Sequence, residues 1–262
     1  MVIVVLGPEA CFAGHVPLSG DIDSYLICGT PRTGSTLLCG LLRSTGIAGR
    51  PESYFRLHDE DSYAERWRIA RKPDGSFDYL DYVRAAISTG TTENGVFAAR
   101  VMWGTLDEMI GKLRSSHCDA TASDLQLLDR VFGRIRFLHL RREDALAQAV
   151  SWVRAEQTDY WQEDDTVSRA TTPFFDAKAI QSCVTTIREH NRAWRTWFRA
   201  FGIQPLAITY EDLVADVASV TRAILEFLGL QLPIDQLITP GDRQQADQLN
   251  HEWIERYRAL YP

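Results

Sequence analysis

Short apolar runs recur along the chain, separated by longer stretches in which apolar residues return every three or four positions. The runs Tyr25-Leu-Ile-Cys28, Val96 to Met102, Ile135 to Leu140 and Pro205 to Thr209 read as strands. Helical periodicity marks Ser35 to Thr45, Leu106 to Leu113, Ala145 to Ala155, Lys178 to Ala200 and Val217 to Leu228. Strands that alternate with helices predict an α/β fold, a central parallel sheet flanked by helices on both faces. In the longest helix, Ile180, Cys183, Val184, Ile187, Asn191, Trp194 and Trp197 share one face, so its tryptophans read as core packing.

A chain of 262 residues buries one sizeable core. No repeat or low-complexity tract divides it, and Arg71 to Ser76 and Gln162 to Thr166 read as polar loops within one domain. That domain is expected over residues 21–262, after an irregular arm of residues 1–20 punctuated by Gly7, Pro8, Gly14, Pro17 and Gly20. The apolar start, Met1 to Leu6, has no basic residue before it and breaks at Gly7, a poor fit to a signal peptide. No stretch reaches the ~20 apolar residues of a membrane span.

A net charge of -7 argues against nucleic acid or an anionic membrane as partner, so any anion site must be local. The five cysteines, Cys11, Cys28, Cys39, Cys118 and Cys183, are widely spaced with no C-x-x-C pair. Neither a disulfide framework nor a zinc site is expected, and the compartment implied is a reducing cytoplasm.

The first strand runs into Gly29-Thr-Pro-Arg-Thr-Gly-Ser-Thr36 and then into a helix. Gly29 and Gly34 stand at the G-x4-G spacing of a phosphate-binding loop, where glycine lets backbone N–H groups converge on an anion at a helix start. A nucleoside triphosphate loop would carry lysine after the second glycine; here Ser35 and Thr36 follow, and the cation, Arg32, lies inside the loop.

That loop resembles the 5′-phosphosulfate loop of sulfotransferases that use 3′-phosphoadenosine 5′-phosphosulfate (PAPS). Further segments resemble the NodH-like bacterial branch, the trehalose 2-sulfotransferase family. These are Gly46 to Phe55, Gly95 to Trp103, Arg142 to Trp152, Arg154 to Thr158, Gln245 to Gln248 and Glu252 to Arg258, so the likeness covers nearly everything after residue 24. It implies a P-loop-like single domain, PAPS as co-substrate, no metal, a sugar or glycolipid acceptor and a possible homodimer.

The resemblance also implies roles. Arg32 would meet the sulfonate and bridging oxygens, while Thr33, Gly34, Ser35 and Thr36 would hold the 5′-phosphate. Arg141 or Arg142, with Ser151, would bind the 3′-phosphate, Arg142 matching better by its distance to Ser151. Arg243 and Gln245 lie in a loop expected to close over the nucleotide, although Gln244 stands where the family has arginine. The family's catalytic glutamate corresponds to Ser53, with Glu52 one residue earlier. Since serine is a poor base, Glu52 becomes the candidate, with His58 in reserve. Trp103, Arg154, Gln157 and Trp161 would line the acceptor side, while Glu252, Trp253 and Arg256 read as docking the last helix.

Two other functions fit parts of the chain. A P-loop small-molecule kinase is disfavoured by the missing lysine and by the lack of a magnesium-holding aspartate after a strand. A nucleotide-binding protein without catalysis is suggested by the departures at Ser53 and Gln244.

Overall fold

The four apolar runs form the strands β1 (Ser24–Gly29), β2 (Phe97–Met102), β3 (Ile135–Arg141) and β4 (Leu206–Thr209). They come from a computed structural model that describes residues 22–117, 121–159, 161, 172–232 and 248–261. The arm expected over residues 1–20, the loop Gln162 to Thr166, and Arg243 and Gln245 lie outside the described residues. Neighbouring strands pair in parallel in the order β2-β1-β3-β4. Parallel pairing demands a long crossover between successive strands, and helices supply it.

β1 lies between two strands and is covered on both faces, so every one of its residues is buried. This explains why it reads as a continuous apolar run rather than as an alternation. Tyr25 and Ile27 face one layer, with Leu38, Leu41 and Leu42 of α1 (Ser35–Ser44), Leu213 of α8 (Tyr210–Ala215) and Ile224, Leu225 and Leu228 of α9 (Val217–Leu228). Leu26 and Cys28 face the other layer, built from α2 (Leu57–Arg66), α3 (Tyr79–Gly90), α4 (Trp103–His117), α5 (Asp124–Phe132) and the second half of α7 (Ala177–Ala200). Full burial of a side chain such as Leu41 or Leu42 contributes ~1.5–3 kcal/mol. A third cluster joins α6 (Ala145–Thr158), the first half of α7 and α10 (Gln248–Leu260).

The stripe on α7 does what its spacing predicts. Trp194 is fully buried and donates its indole N–H to the Gly29 carbonyl at 2.9 Å, tying α7 to the end of β1. Trp253 is buried beside Phe175, and Arg256 lies 4.3 Å from the centre of the Phe175 ring, which docks α10.

Leu57 to Asp81, which carries no sequence pattern, contains α2 and the start of α3. The reason is chemical. In α2 the fully buried positions are Glu60 and Ala64, and Glu60 is held by Lys112 of α4, so the core-facing side of this helix is not an apolar stripe. Arg71 to Ser76 is a turn, closed by Gly75 N–H donating to the Lys72 carbonyl at 2.9 Å.

Among the described residues, no helix is long and apolar enough to cross a membrane.

Candidate active site

The loop between β1 and α1 is fastened from within. The Thr33 hydroxyl donates to the Thr30 carbonyl at 3.0 Å. From α6, the Gln148 amide donates to the Thr30 hydroxyl at 2.8 Å and to the Pro31 carbonyl at 2.6 Å. Thr30, Thr33 and Gln148 are all fully buried, so the turn belongs to the core. The Thr33 hydroxyl, expected as an anion donor, is thereby spent inside the loop, and what Thr33 offers a ligand is its backbone N–H. Gln148 was not anticipated; a buried amide on a helix gives no periodic signal.

Arg32 and Gly34 both adopt left-handed backbone, with φ of 64° and 80°. At Gly34 a side chain is doubly excluded, because a Cβ would also lie 2.5 Å from Cδ2 of Tyr210. For Arg32 the same conformation costs ~1–3 kcal/mol, strain of the kind that gathers at functional sites. The guanidinium reaches across to α6, where Nε donates to the Ser151 hydroxyl at 3.0 Å, and Nη1 donates to the carbonyl of Trp161, beyond the end of that helix, at 2.6 Å.

The start of α1 differs from most of the other helix starts. Helices α3, α5, α6, α7, α8 and α9 begin on Asp78, Ser123, Asp144, Asp176, Thr209 and Asp216, each of which accepts from a first-turn N–H. α1 begins on Gly34, with no side-chain cap and no acidic residue in its first turn. Its N–H groups and the positive end of its dipole therefore face the cradle uncompensated, as an anion site requires.

A second cation reaches the same place from β2. Arg100 donates through Nη1 to the hydroxyls of Thr36 and Ser35, at 3.0 and 3.3 Å, and through Nε to the Ser53 hydroxyl at 2.8 Å. Spacing along the sequence assigns Arg100 no role. The signal was there, a single charge in an otherwise apolar strand near its C-terminal end, where α/β sheets gather ligands. Arg32 leans toward α6 and Arg100 arrives from β2, so the two guanidiniums bracket the start of α1.

The other expected residues divide. Ser53 stands beside Arg100, whereas the Glu52 carboxylate is ion-paired with Arg43 at the surface. Arg43 lies eight residues along α1 from Ser35, about 12 Å at the helical rise. The two neighbours are thus arranged in the opposite sense to that expected for a base at Glu52. His58 is exposed in the first turn of α2. Ser151 meets Arg32 rather than Arg141 or Arg142. Arg141 ends β3, and the Arg142 guanidinium lies 4.5 Å from the centre of the Tyr210 ring. On the acceptor side, Trp103 packs edge-on against Trp194, Arg154 donates to Asn250 at 2.7 Å, and the Gln157 amide exchanges two hydrogen bonds with the backbone of Phe174. Burial, reinforced by the charges of Glu52 and Asp59, raises the Tyr63 pKa, so this hydroxyl stays protonated and can donate but not act as a base.

The family model of the Stf0 sulphotransferases matches residues 24–260. The trehalose 2-sulfotransferase of Mycobacterium tuberculosis (strain Erdman) is 29% identical, over 94% of this chain and 98% of its own length. That of Mycolicibacterium smegmatis is 30% identical, over 92% of this chain and 96% of its own. Among solved structures, the sulfotransferase domain of the Synechococcus PCC 7002 olefin synthase shares 16% identity at a TM-score of 0.45, covering 91% of this chain and 88% of that one. The family match takes in the uncapped loop, the strand that carries Arg100 and the helix that receives Arg32, and the chain belongs to the Stf0 sulphotransferase family.

Proposed function

We propose that the chain transfers the sulfonate of PAPS to a hydroxyl of a carbohydrate or glycolipid. The observation that carries this reading is the pair of guanidiniums, Arg32 and Arg100, on either side of an uncapped helix start. When bound, PAPS supplies a sulfonate whose leaving group is a 5′-phosphate. The N–H groups of Gly34, Ser35 and Thr36 and the two hydroxyls suit that phosphate, and the guanidiniums suit the charge that grows on the bridging oxygen. Transfer of this type resembles phosphoryl transfer, in which positioning and electrostatics do most of the work. The Glu52 carboxylate is ion-paired with Arg43 at the surface, so the cations are assigned the main rate effect.

Arg141 and Arg142 at the end of β3 are proposed to hold the 3′-phosphate, with Arg243 and Gln245 closing over it. Trp103, Arg154, Gln157 and Trp161 are proposed to shape the acceptor side. The names of the two mycobacterial relatives favour a sugar there. A reducing cytoplasm is part of the same reading, from five widely spaced cysteines with no C-x-x-C pair. A homodimer is part of the same reading, and sedimentation would decide it.

The test is incubation with labelled PAPS and a panel of sugars, glycolipids and phenols, followed by mass analysis. A labelled sulfate ester of one acceptor is expected, with adenosine 3′,5′-bisphosphate released. Tight binding of that nucleotide without transfer to any acceptor would favour a binding protein instead. Turnover of ATP with magnesium would favour a kinase.

A further inference from the structure

Three carbonyls lead up to Arg32, and a donor takes each of them. The Gly29 carbonyl accepts from the Trp194 indole of α7 at 2.9 Å, that of Thr30 from the Thr33 hydroxyl at 3.0 Å, and that of Pro31 from the Gln148 amide of α6 at 2.6 Å. In a trans peptide the N–H points opposite to the C=O, so a carbonyl held against α6 turns the next N–H away from that helix. A carbonyl swung into the cradle would instead set a negative dipole end against the anion.

The peptide between Pro31 and Arg32 is the one under strain. These residues are the central pair of a turn. Proline suits the first place in both type I and type II turns, which differ by rotation of that central peptide. Type I would give Arg32 a φ of about −90°. Its φ of 64° is on the type II side, where glycine is usual. Rotating the peptide would relieve the left-handed strain, so the Pro31 carbonyl has to be held, and Gln148 holds it. Nε2 of Gln148 also donates to the Thr30 hydroxyl at 2.8 Å, and since the Pro31 carbonyl can only accept, the NH2 end of the amide must face it. Two neutral hydrogen bonds are comparable in size to the strain of one left-handed residue, so the balance rests on this side chain. Ser151, three residues further along the same face of α6, then receives the Arg32 guanidinium at 3.0 Å.

Stability alone does not require an amide here. Gln148 is fully buried, and its Oε1 has no hydrogen-bond partner among the described residues. An orphaned acceptor costs free energy that an apolar side chain of the same length avoids.

We propose that Gln148 is a positioning residue for the transfer step: by holding the Pro31 carbonyl it keeps Arg32 left-handed and its guanidinium at Ser151. The proposal rests on the PAPS reading above and adds to it a residue that acts through Arg32 rather than on the nucleotide.

The test compares wild type with Gln148→Met, which keeps the length and removes the donor, with Arg32→Gly, and with the double variant. Glycine is unstrained in left-handed backbone, so beside Arg32→Gly the amide has neither strain to hold nor a guanidinium to place. Four quantities are measured: kcat for transfer of labelled sulfonate, calorimetric affinity for adenosine 3′,5′-bisphosphate, thermal melting, and the crystal structure of ligand-free Gln148→Met. The kcat of Gln148→Met should fall about 10–100-fold, as for a displaced catalytic group, while nucleotide affinity stays within about threefold because the donors of Thr33 to Thr36 follow the disturbed peptide. Melting should stay within a few degrees of wild type. In the Arg32→Gly background the same substitution should lower kcat by less than about twofold. The ligand-free crystal structure should show Arg32 at negative φ and parted from Ser151. Retention of left-handed Arg32, full additivity of the two substitutions, or matched losses of kcat and nucleotide affinity would each overturn the assignment. Should Gln148→Met fail to fold, Gln148→Glu takes its place, since a carboxylate offers the Pro31 carbonyl no donor. If wild type transfers sulfonate to no acceptor, the PAPS reading fails and the catalytic role of Gln148 with it, whereas left-handed Arg32 retained in the ligand-free variant overturns this inference alone.

Discussion

Replacing Arg100 with glutamine should lower kcat by about 10²–10³-fold, the usual consequence of losing one preorganised donor aimed at developing charge. The guanidinium spans three hydroxyls, Ser53 at 2.8 Å, Thr36 at 3.0 Å and Ser35 at 3.3 Å, so it is held in a fixed orientation over the start of α1. In the resting protein these partners are neutral hydroxyls, and losing the charge-assisted hydrogen bonds to them should cost the fold about 1.5–3 kcal/mol. In the transition state the same guanidinium would face charge that grows on the bridging oxygen and is absent from the ground state, and its loss therefore appears in kcat. Arg100→Lys keeps the charge but not the fork, and one ammonium cannot hold Ser53 and Thr36 together. It should fall between, at about tenfold. Ser53→Ala removes one anchor of the fork and should cost about fivefold, the equivalent of ~1 kcal/mol. The assay is initial-rate transfer of labelled sulfonate at varied donor and acceptor concentrations, with thermal melting of each variant. If Arg100→Gln kept kcat within about threefold of wild type, or lost only donor affinity, Arg100 would be gripping a phosphate that does not change, and the reasoning would be wrong.

Gly34→Ala should lower Tm by several degrees, since left-handed backbone costs an L-residue ~1–2 kcal/mol and the new Cβ would also press on Tyr210; an unchanged melting curve would contradict this. Glu52→Gln should change stability by less than ~1 kcal/mol, because its pair with Arg43 is exposed, and should leave kcat within about tenfold of wild type. A drop of 10²–10⁴-fold would instead return the base role to Glu52. The pH dependence of stability should carry a contribution from His139, whose pKa is pushed down to about 4 by burial, with the charges of Arg141 and Arg195 adding to it. The unfolded chain takes up this proton near pH 6.5 and the folded chain only near 4, so stability should fall as pH drops through that window, by up to ~3 kcal/mol. Urea unfolding at several pH values should show a shallower dependence for His139→Leu, and identical slopes would refute the assignment.

The strands, the long helices and the phosphate loop were legible because each rests on local repetition. β1 and β3 read as apolar runs because the sheet is covered on both faces, α7 because one face meets the core, and the loop because Gly29 and Gly34 bracket a tight turn. α2 was silent because its fully buried positions are Glu60 and Ala64, the former held by Lys112, so no apolar period betrays it. The arrangement of the site is a matter of distance along the chain. Arg100 meets Ser35 across 65 positions and Arg32 meets Ser151 across 119, separations over which no spacing rule operates. Whether Glu52 or Ser53 faces the cradle is settled by backbone pairing, since Arg100 N–H donates to the Glu52 carbonyl at 2.9 Å and thereby sets the rotation of that irregular segment. Gln148 reads in the sequence as one polar residue on a helix. Only the packing of α6 against α7 and α10 sets its amide against the Pro31 carbonyl, because the apolar surface those helices bury together fixes where α6 lies beside the loop.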